Sequence, residues 1–227
     1  MVYLRYSMEH TVSVMQLAVG GYDANLSYLL VSSSNRNALL VDPSGDIDLV
    51  FRELQRQSLT LVGIVITHTH FDHIERLRDV LASYTVPVYV HTLGAKRVDT
   101  PAELVRCIAE GDTVPLDEVN IHVLHTPGHS DDSICLYIDA HQSVDGIPKL
   151  ISGDTLFVEG CGRTTFEHVN ALYESLQRLK ALPEATEVYP GHEYGSRPYS
   201  DLAYEKKHNR FLQAQDLDTF VAARLPA

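Results

Sequence analysis

The chain has 227 residues, 44% hydrophobic and 21% charged, a balance that suits a folded core and excludes disordered, collagenous and coiled-coil classes. Its 18 Lys and Arg against 30 Asp and Glu leave a net charge of −12, so a phosphate backbone is repelled at long range and nucleic acid is not expected as a partner. The three cysteines form no CxxC pair, the first twenty residues lack the basic-then-apolar order of a secretory signal, and no run approaches the ~20 apolar residues of a membrane span; a cytoplasmic protein without membrane association is expected.

In chain order, an apolar run predicts a strand over Val12–Val19, and Gly20-Gly21 marks a hairpin into Leu26–Val31. Asn35-Arg36-Asn37 turns the chain into a strand at Ala38–Val41, and a helix over Asp46–Gln57 places Ile47, Val50, Phe51 and Leu54 on one face. Strand Leu61–Ile66, helix Ile74–Ser83, strand Val86–Val90 and helix Ala102–Glu110 follow. Strands are then expected at Ile121–Leu124, Ile134–Ile138 and Leu150–Ile151. A helix over Val169–Leu182 carries Leu172, Leu176 and Leu179, and Glu187–Tyr189 reads as a further strand. Hairpins early and alternating helices later predict a mixed-sheet α/β protein. With neither a linker nor a short repeat, one domain spanning 1–227 is expected, with a helical tail from about 200 to 227.

Twelve histidines are the compositional anomaly, and they cluster. Thr67-His68-Thr69-His70-Phe71-Asp72-His73 follows the strand Leu61–Ile66 directly. In extended backbone, alternate side chains share a face, so His68, His70 and Asp72 can point one way while the turn into the helix brings His73 beside Asp72. So many imidazoles and carboxylates from one loop suit a dinuclear site, and the lack of cysteine favours an open catalytic site over a closed structural zinc site. Further candidates each sit past a strand and beside a glycine: His129 in Thr126-Pro127-Gly128-His129-Ser130, Asp154 in Ser152-Gly153-Asp154-Thr155, and His192 in Pro190-Gly191-His192-Glu193.

THTHFDH, TPGHS, SGDTLF and PGHEY, in this order, resemble the metallo-β-lactamase superfamily over nearly the whole chain. Within it, the run from Gly153 to Arg163 resembles the GDTLF and GCG segment of glyoxalase II, the hydroxyacylglutathione hydrolases, and of their persulfide dioxygenase relatives. The resemblance implies an αββα four-layer sandwich of two mixed sheets flanked by helices. It further implies a first metal on His68, His70 and His129, a second on Asp72, His73 and His192, and Asp154 bridging them. Two divalent ions, Zn²⁺ foremost with Fe²⁺ or Mn²⁺ as alternatives, then activate water and polarise a carbonyl, with Asp72 or Asp154 orienting the water. The expected reaction is thioester hydrolysis.

For the substrate, the resemblance points to Arg163, Thr165 and Tyr194 at positions that grip glutathione in glyoxalase II, Thr165 standing where that family has tyrosine. The tail Tyr204-Glu205-Lys206-Lys207-His208-Asn209-Arg210-Phe211 is similar to the EKKxNPF signature of short glyoxalase II-like hydrolases, with Arg210 in place of proline. Lys206, Lys207 and Arg210 are therefore candidate contacts to an anionic substrate. The partner is accordingly a small-molecule thioester or one carried on an acyl carrier's pantetheine arm. Two alternatives stand beside the hydrolase: a mononuclear iron persulfide dioxygenase on His68, His129 and Asp154, and a non-catalytic metal-binding module. Among residues outside the motifs, His125 is the histidine nearest a ligand, Cys161 is read as a packed small hydrophobe, Cys107 and Cys135 fit helix and strand interiors, and Asp23 and Asn25 can line the cleft.

Overall fold

A computed structural model describes residues 10–225; residues 1–9 and 226–227, which the expected single domain includes, lie outside the described residues. The chain runs β1 Val12–Gly20, β2 Asn25–Ser32, β3 Asn37–Val41, α1 Ile47–Arg56, β4 Thr60–Val65, α2 Phe71–Ile74, α3 Leu77–Ser83, β5 Val88–His91 and β6 Val105–Ile108. It continues through β7 Thr113–Leu116, β8 Val119–His125, β9 Ile134–Ile138, β10 Lys149–Gly153, β11 Leu156–Phe157, β12 Gly160–Cys161, α4 Val169–Lys180, β13 Glu187–Pro190, β14 Ser200–Asp201, α5 Leu202–His208 and α6 Leu217–Arg224. No helix among the described residues is long and apolar enough to cross a membrane.

Strands β1 to β6 form one six-stranded sheet in chain order, antiparallel over the first three and parallel from β3 onward. The second sheet has the order β14-β13-β10-β9-β8-β7, with β13 and β10 parallel and the other pairs antiparallel. Side-chain alternation explains the layering. In β2 and β3, Leu26, Tyr28, Leu30, Leu39 and Val41 meet Ile121, Val123, Leu136 and Ile151 of the second sheet in a core between the sheets. Leu29, Ala38 and Leu40 point to the opposite face, where Val50, Leu54, Leu77 and Val80 of α1 and α3 cover them. The outer face of the second sheet, through Cys135, Leu150 and Val188, packs on Leu172, Leu176, Leu202 and Phe220 of α4, α5 and α6. Strands covered on both sides read as unbroken apolar runs. The result is the helix, sheet, sheet, helix sandwich.

Helix α1 shows the local logic. The Asp46 carboxylate caps it by accepting from Leu49 N at 3.2 Å, and Ile47, Val50 and Leu54 recur at helical spacing to form its buried face.

Three expectations are corrected. Ala102–Glu110 is not a helix: its centre is the edge strand β6, parallel to β5. Only Ile108 of its four residues is buried, and the Leu104, Cys107 and Ile108 spacing that imitates a helix reflects an edge with one face partly in water. Helix Ile74–Ser83 starts earlier, at Phe71, and breaks at Arg76 into α2 and α3. The tail opens with strand β14 against β13 before its two helices.

Because β8, β10 and β13 all run in the same direction, their C-terminal ends emerge at one edge of the sandwich. That edge is stitched across the two sheets. Tyr28 Oη donates to Pro190 O, Leu26 N to Gly191 O at 2.8 Å, and Ile134 N to Thr67 O at 2.8 Å. Tyr28 is buried and also accepts from Gln16 Nε2 at 3.2 Å. Replacing Tyr28 with Phe strands the Pro190 carbonyl, which is expected to cost about 1–2 kcal/mol. Thermal unfolding should then show a melting temperature lower by roughly 2–8 °C.

Candidate metal centre

The residue that organises the site lies behind it. Asp42, buried just past the end of β3, accepts from Thr67 N at 2.7 Å, Thr67 Oγ1 at 2.6 Å and His73 Nδ1 at 2.8 Å. A carboxylate only accepts, so His73 Nδ1 carries a proton and donates it to Asp42, and the ring turns Nε2 inward. Backbone carbonyls impose the same tautomer elsewhere: His129 Nδ1 donates to Arg163 O at 2.9 Å and His192 Nδ1 to Asp23 O at 2.7 Å. Asp132 ties two ligand loops together, accepting from Thr69 N at 3.0 Å, Thr69 Oγ1 at 2.6 Å and Ser130 Oγ at 2.6 Å. Asn25 Nδ2 reaches Asp72 Oδ2 at 2.9 Å.

Thus directed, the inward atoms crowd together. His70 Nδ1 lies 3.0 Å from His68 Nε2 and 2.9 Å from His129 Nε2, and His73 Nε2 lies 3.2 Å from His192 Nε2. With both Nδ1 atoms committed to protein acceptors, the His73 and His192 Nε2 atoms face each other beside Asp154; burial alone would lower both rings, but the carboxylate outweighs it and raises both, so a positive charge is favoured between them. Asp154 stands between the groups, with Oδ1 3.3 Å from His73 Nε2 and Oδ2 3.2 Å from His192 Nε2 and 3.5 Å from His129 Nε2. Its Oδ1 is buried with no hydrogen-bond partner. Three groupings hold their ligand atoms within 4.8 Å of one another: His68, His70, His129; His68, His73, Asp154; and Asp72, His73, His192. These residues fit divalent cations.

Asp72 departs from the expected alternation. Regular extended backbone ends at His70, where α2 begins, so Asp72 faces His73 and His192 rather than joining His68 and His70. Electrostatics agree with a ligand role. Burial, aided by His73, pushes His68 well below the ordinary imidazole range, leaving it neutral. Burial alone would raise Asp154, but His73 and the other imidazoles outweigh it and hold the carboxyl well below its usual range. Glycine is required at two of the loops. Gly128 has φ +133° and an added Cβ would stand 2.2 Å from Leu172 N, while a Cβ on Gly191 would stand 2.3 Å from Asp154 Oδ1.

Two adjoining cavities open at the site. The smaller, about 140 Å³, is lined by Asp72, His129, Asp154 and His192 together with Tyr22 and Asp23. The larger, about 600 Å³, is lined by Glu159, Cys161, Phe211 and Arg224. Phe157, Arg163 and Tyr194 border both.

Of the residues expected to contact substrate, Arg163 and Tyr194 therefore stand at the site. The others do not line either cavity. Thr165 lies in the turn that leads into α4, its carbonyl accepting from Val169 N at 2.9 Å. Lys206 turns to Glu184 at 3.4 Å, Lys207 is exposed, and the Arg210 guanidinium stacks over Phe211 at 4.7 Å. His125 stacks on His91 at 4.0 Å, apart from the cluster. Cys135 is buried in β9 and Cys161 is buried, but Cys107 is exposed on β6 rather than set in a helix. Asp42, Asp132 and Arg224 escape a reading of the sequence alone; Asp42, four residues before the capped helix α1 and past an apolar strand, carries the same strand-end signal as the ligands.

Residues 20–192 match the family model of the metallo-beta-lactamase superfamily. The chain belongs to the metallo-β-lactamase superfamily. A hydroxyacylglutathione hydrolase from Hahella chejuensis is 41% identical over 207 residues, covering 87% of this chain and 75% of the relative. A probable polyketide biosynthesis zinc-dependent hydrolase, BaeB of Bacillus velezensis, is 28% identical over 221 residues, 96% of this chain and 95% of the relative. The crystal structure of ETHE1 from Myxococcus xanthus superposes with a TM-score of 0.77 at 32% identity, covering 95% of this chain and 92% of that one. With the histidine and aspartate cluster, this kinship makes the chain a metal-dependent hydrolase of the superfamily, built to carry divalent ions.

Asp42→Ala removes the group that fixes the His73 tautomer. The expected result is a loss of about 10–100-fold in affinity for a divalent ion, read by competitive chelator titration of the purified protein.

Proposed function

We propose that the protein hydrolyses thioesters with two divalent ions, most suitably zinc, held by His68, His70 and His129 on one side and Asp72, His73 and His192 on the other, with Asp154 between. The observation that carries this reading is the pair of converging ligand sets with Asp154 facing both, its Oδ1 otherwise unpartnered. When bound, such ions supply Lewis acidity, acidifying water and polarising an acyl oxygen. The chain's own residues do the rest. Asp72, held by Asn25 and bordering the smaller cavity, orients the attacking water. Cys161 does not compete as a nucleophile: burial pushes its thiol up to about 12 and keeps it neutral. The leaving thiolate needs little help from a general acid.

The unequal cavities support a division of the substrate. A small acyl group suits the roughly 140 Å³ space beside the ligands, and the longer thiol half suits the 600 Å³ space beyond. There Arg163 and Arg224 supply guanidinium groups for a carboxylate or phosphate on that arm, as glutathione and phosphopantetheine carry. The kinship with a hydroxyacylglutathione hydrolase and with a polyketide-pathway hydrolase favours these two carriers.

Elemental analysis of protein purified without added metal, paired with thiol release from S-lactoylglutathione and from an acyl-pantetheine, tests the reading. Two zinc ions per chain with release from either thioester is the expected result; protein loaded with two ions and inert to both would sink it. One iron per chain with oxygen consumed on a glutathione persulfide would instead establish the dioxygenase. Arg163→Ala is expected to raise KM about tenfold or more while kcat changes less, the loss of a charged hydrogen bond to a remote part of the substrate.

A further inference from the structure

The segment Glu205 to Asn209 stands out in sequence for its lysines, yet the structure buries the two residues on either side of them. Glu205 and Asn209 are fully buried on the inner face of α5 and at its end. Among the described residues the Glu205 carboxylate forms no ion pair. It accepts from Ser200 Oγ at 2.6 Å, from Asn209 Nδ2 at 2.9 Å and from the backbone N of Glu159 at 2.9 Å. Asn209 Nδ2 also donates to Gly160 O at 2.9 Å and approaches Phe157 O at 3.5 Å, while its Oδ1 accepts from Phe211 N at 3.0 Å. Burying so many polar atoms is tolerable only because each is matched.

Their common target is the hairpin of β11 and β12, which pairs only Leu156 with Cys161 and Phe157 with Gly160. A ladder that short does not hold itself. Its turn puts Glu159 at φ +61°, a left-handed conformation that disfavours a side chain, and the Glu159 carboxylate is anchored in turn by Tyr204 and Ser196. The hairpin bears directly on the site. Phe157 packs edge-on to His192 and Tyr194, Arg163 follows two residues after β12, and the Arg163 carbonyl fixes the tautomer of His129.

We propose that Glu205 and Asn209 are positioning residues that clamp the Phe157–Cys161 hairpin, so that Phe157 and Arg163 wall the thiol-arm cavity and the Arg163 carbonyl orients His129. The part of this concerning substrate rests on the thioesterase reading above; the clamp itself does not.

The test uses the full chain and a readout independent of turnover. Cys161 lies on β12, Cys107 is exposed at the far sheet edge and Cys135 is buried in β9, so the three thiols report the hairpin, the surface and the core separately. N-ethylmaleimide labelling resolved by peptide mass spectrometry measures each. Asn209→Asp keeps the volume but turns a carboxylate oxygen towards Glu205 and the Gly160 and Phe157 carbonyls; Cys161 labelling should quicken about tenfold or more with Cys135 unchanged. On a thioester substrate the same variant should raise KM about fivefold with a smaller change in kcat. Glu205→Gln can leave its carbonyl oxygen facing Glu159 N and Asn209 Nδ2 and give its amide to Ser200 Oγ, so it should stay within about twofold of the parent in both measurements. Unchanged Cys161 labelling in Asn209→Asp, a parallel rise at Cys135 that marks general loosening, or a Glu205→Gln variant as open as Asn209→Asp would each overturn the clamp. A parent protein that releases no thiol would remove the thioesterase reading, while the labelling rates would still decide whether the clamp exists.

Discussion

Everything at the ligand-bearing edge depends on holding ring nitrogens and carboxylate oxygens at a common focus. Left alone, such atoms repel one another and would each recruit water or a proton. The chain prevents this from behind. Asp42 holds His73, the Asp23 carbonyl holds His192, and the Arg163 carbonyl holds His129, so each ring has one nitrogen spent on the protein and one directed inward. These anchors come from different parts of the fold: the end of β3, the loop between β1 and β2, and the segment after β12.

That distribution makes the sandwich a condition of the site. His68, His70, Asp72 and His73 leave the first sheet after β4, whereas His129, Asp154 and His192 leave the second after β8, β10 and β13. Only the packing of one sheet on the other brings the two ligand groups together, and a shift of one sheet along the other would separate them. The hydrogen bonds from Tyr28, Leu26 and Ile134 across the seam sit at the ligand end, where such movement would do most harm. Cation binding and the stability of this edge are therefore coupled: ions bound there would relieve the repulsion that the anchors otherwise sustain.

How much of this is legible in sequence follows from how local each signal is. The strands of the inner layers are readable because burial on both faces makes them continuous apolar runs, and the ligand loops because polar residues in alternation follow such a run at once. Edge strands carry half the pattern, which is why β6 passes for a helix. Whether Lys206 or Glu205 faces inward is decided by what α5 docks against, and nothing within its seven residues says so. The outcome inverts the usual expectation, with the acid buried and the lysines outside. Arg224 is hidden for a like reason: it lies far along the chain from Gly162, whose carbonyl accepts from its Nε at 2.9 Å, and only the packing of α6 brings them together.

Chemistry and specificity are consequently written at different ranges. The ligands sit in short motifs one step beyond strands of the central sheets, a placement that any member of the superfamily can share while acting on different compounds. The walls of the larger cavity come instead from a two-residue hairpin and from the C-terminal segment, which share the outer apolar core through Leu156, Cys161, Phe211 and Phe220 and are joined further by buried polar contacts. Substitution there alters the shape and charge of the larger cavity without replacing Asp42 or the strand ends. Arg224 in the cavity wall fits that scheme, since it sets the charge of the larger cavity while the histidine and aspartate cluster draws no residue from the C-terminal helices.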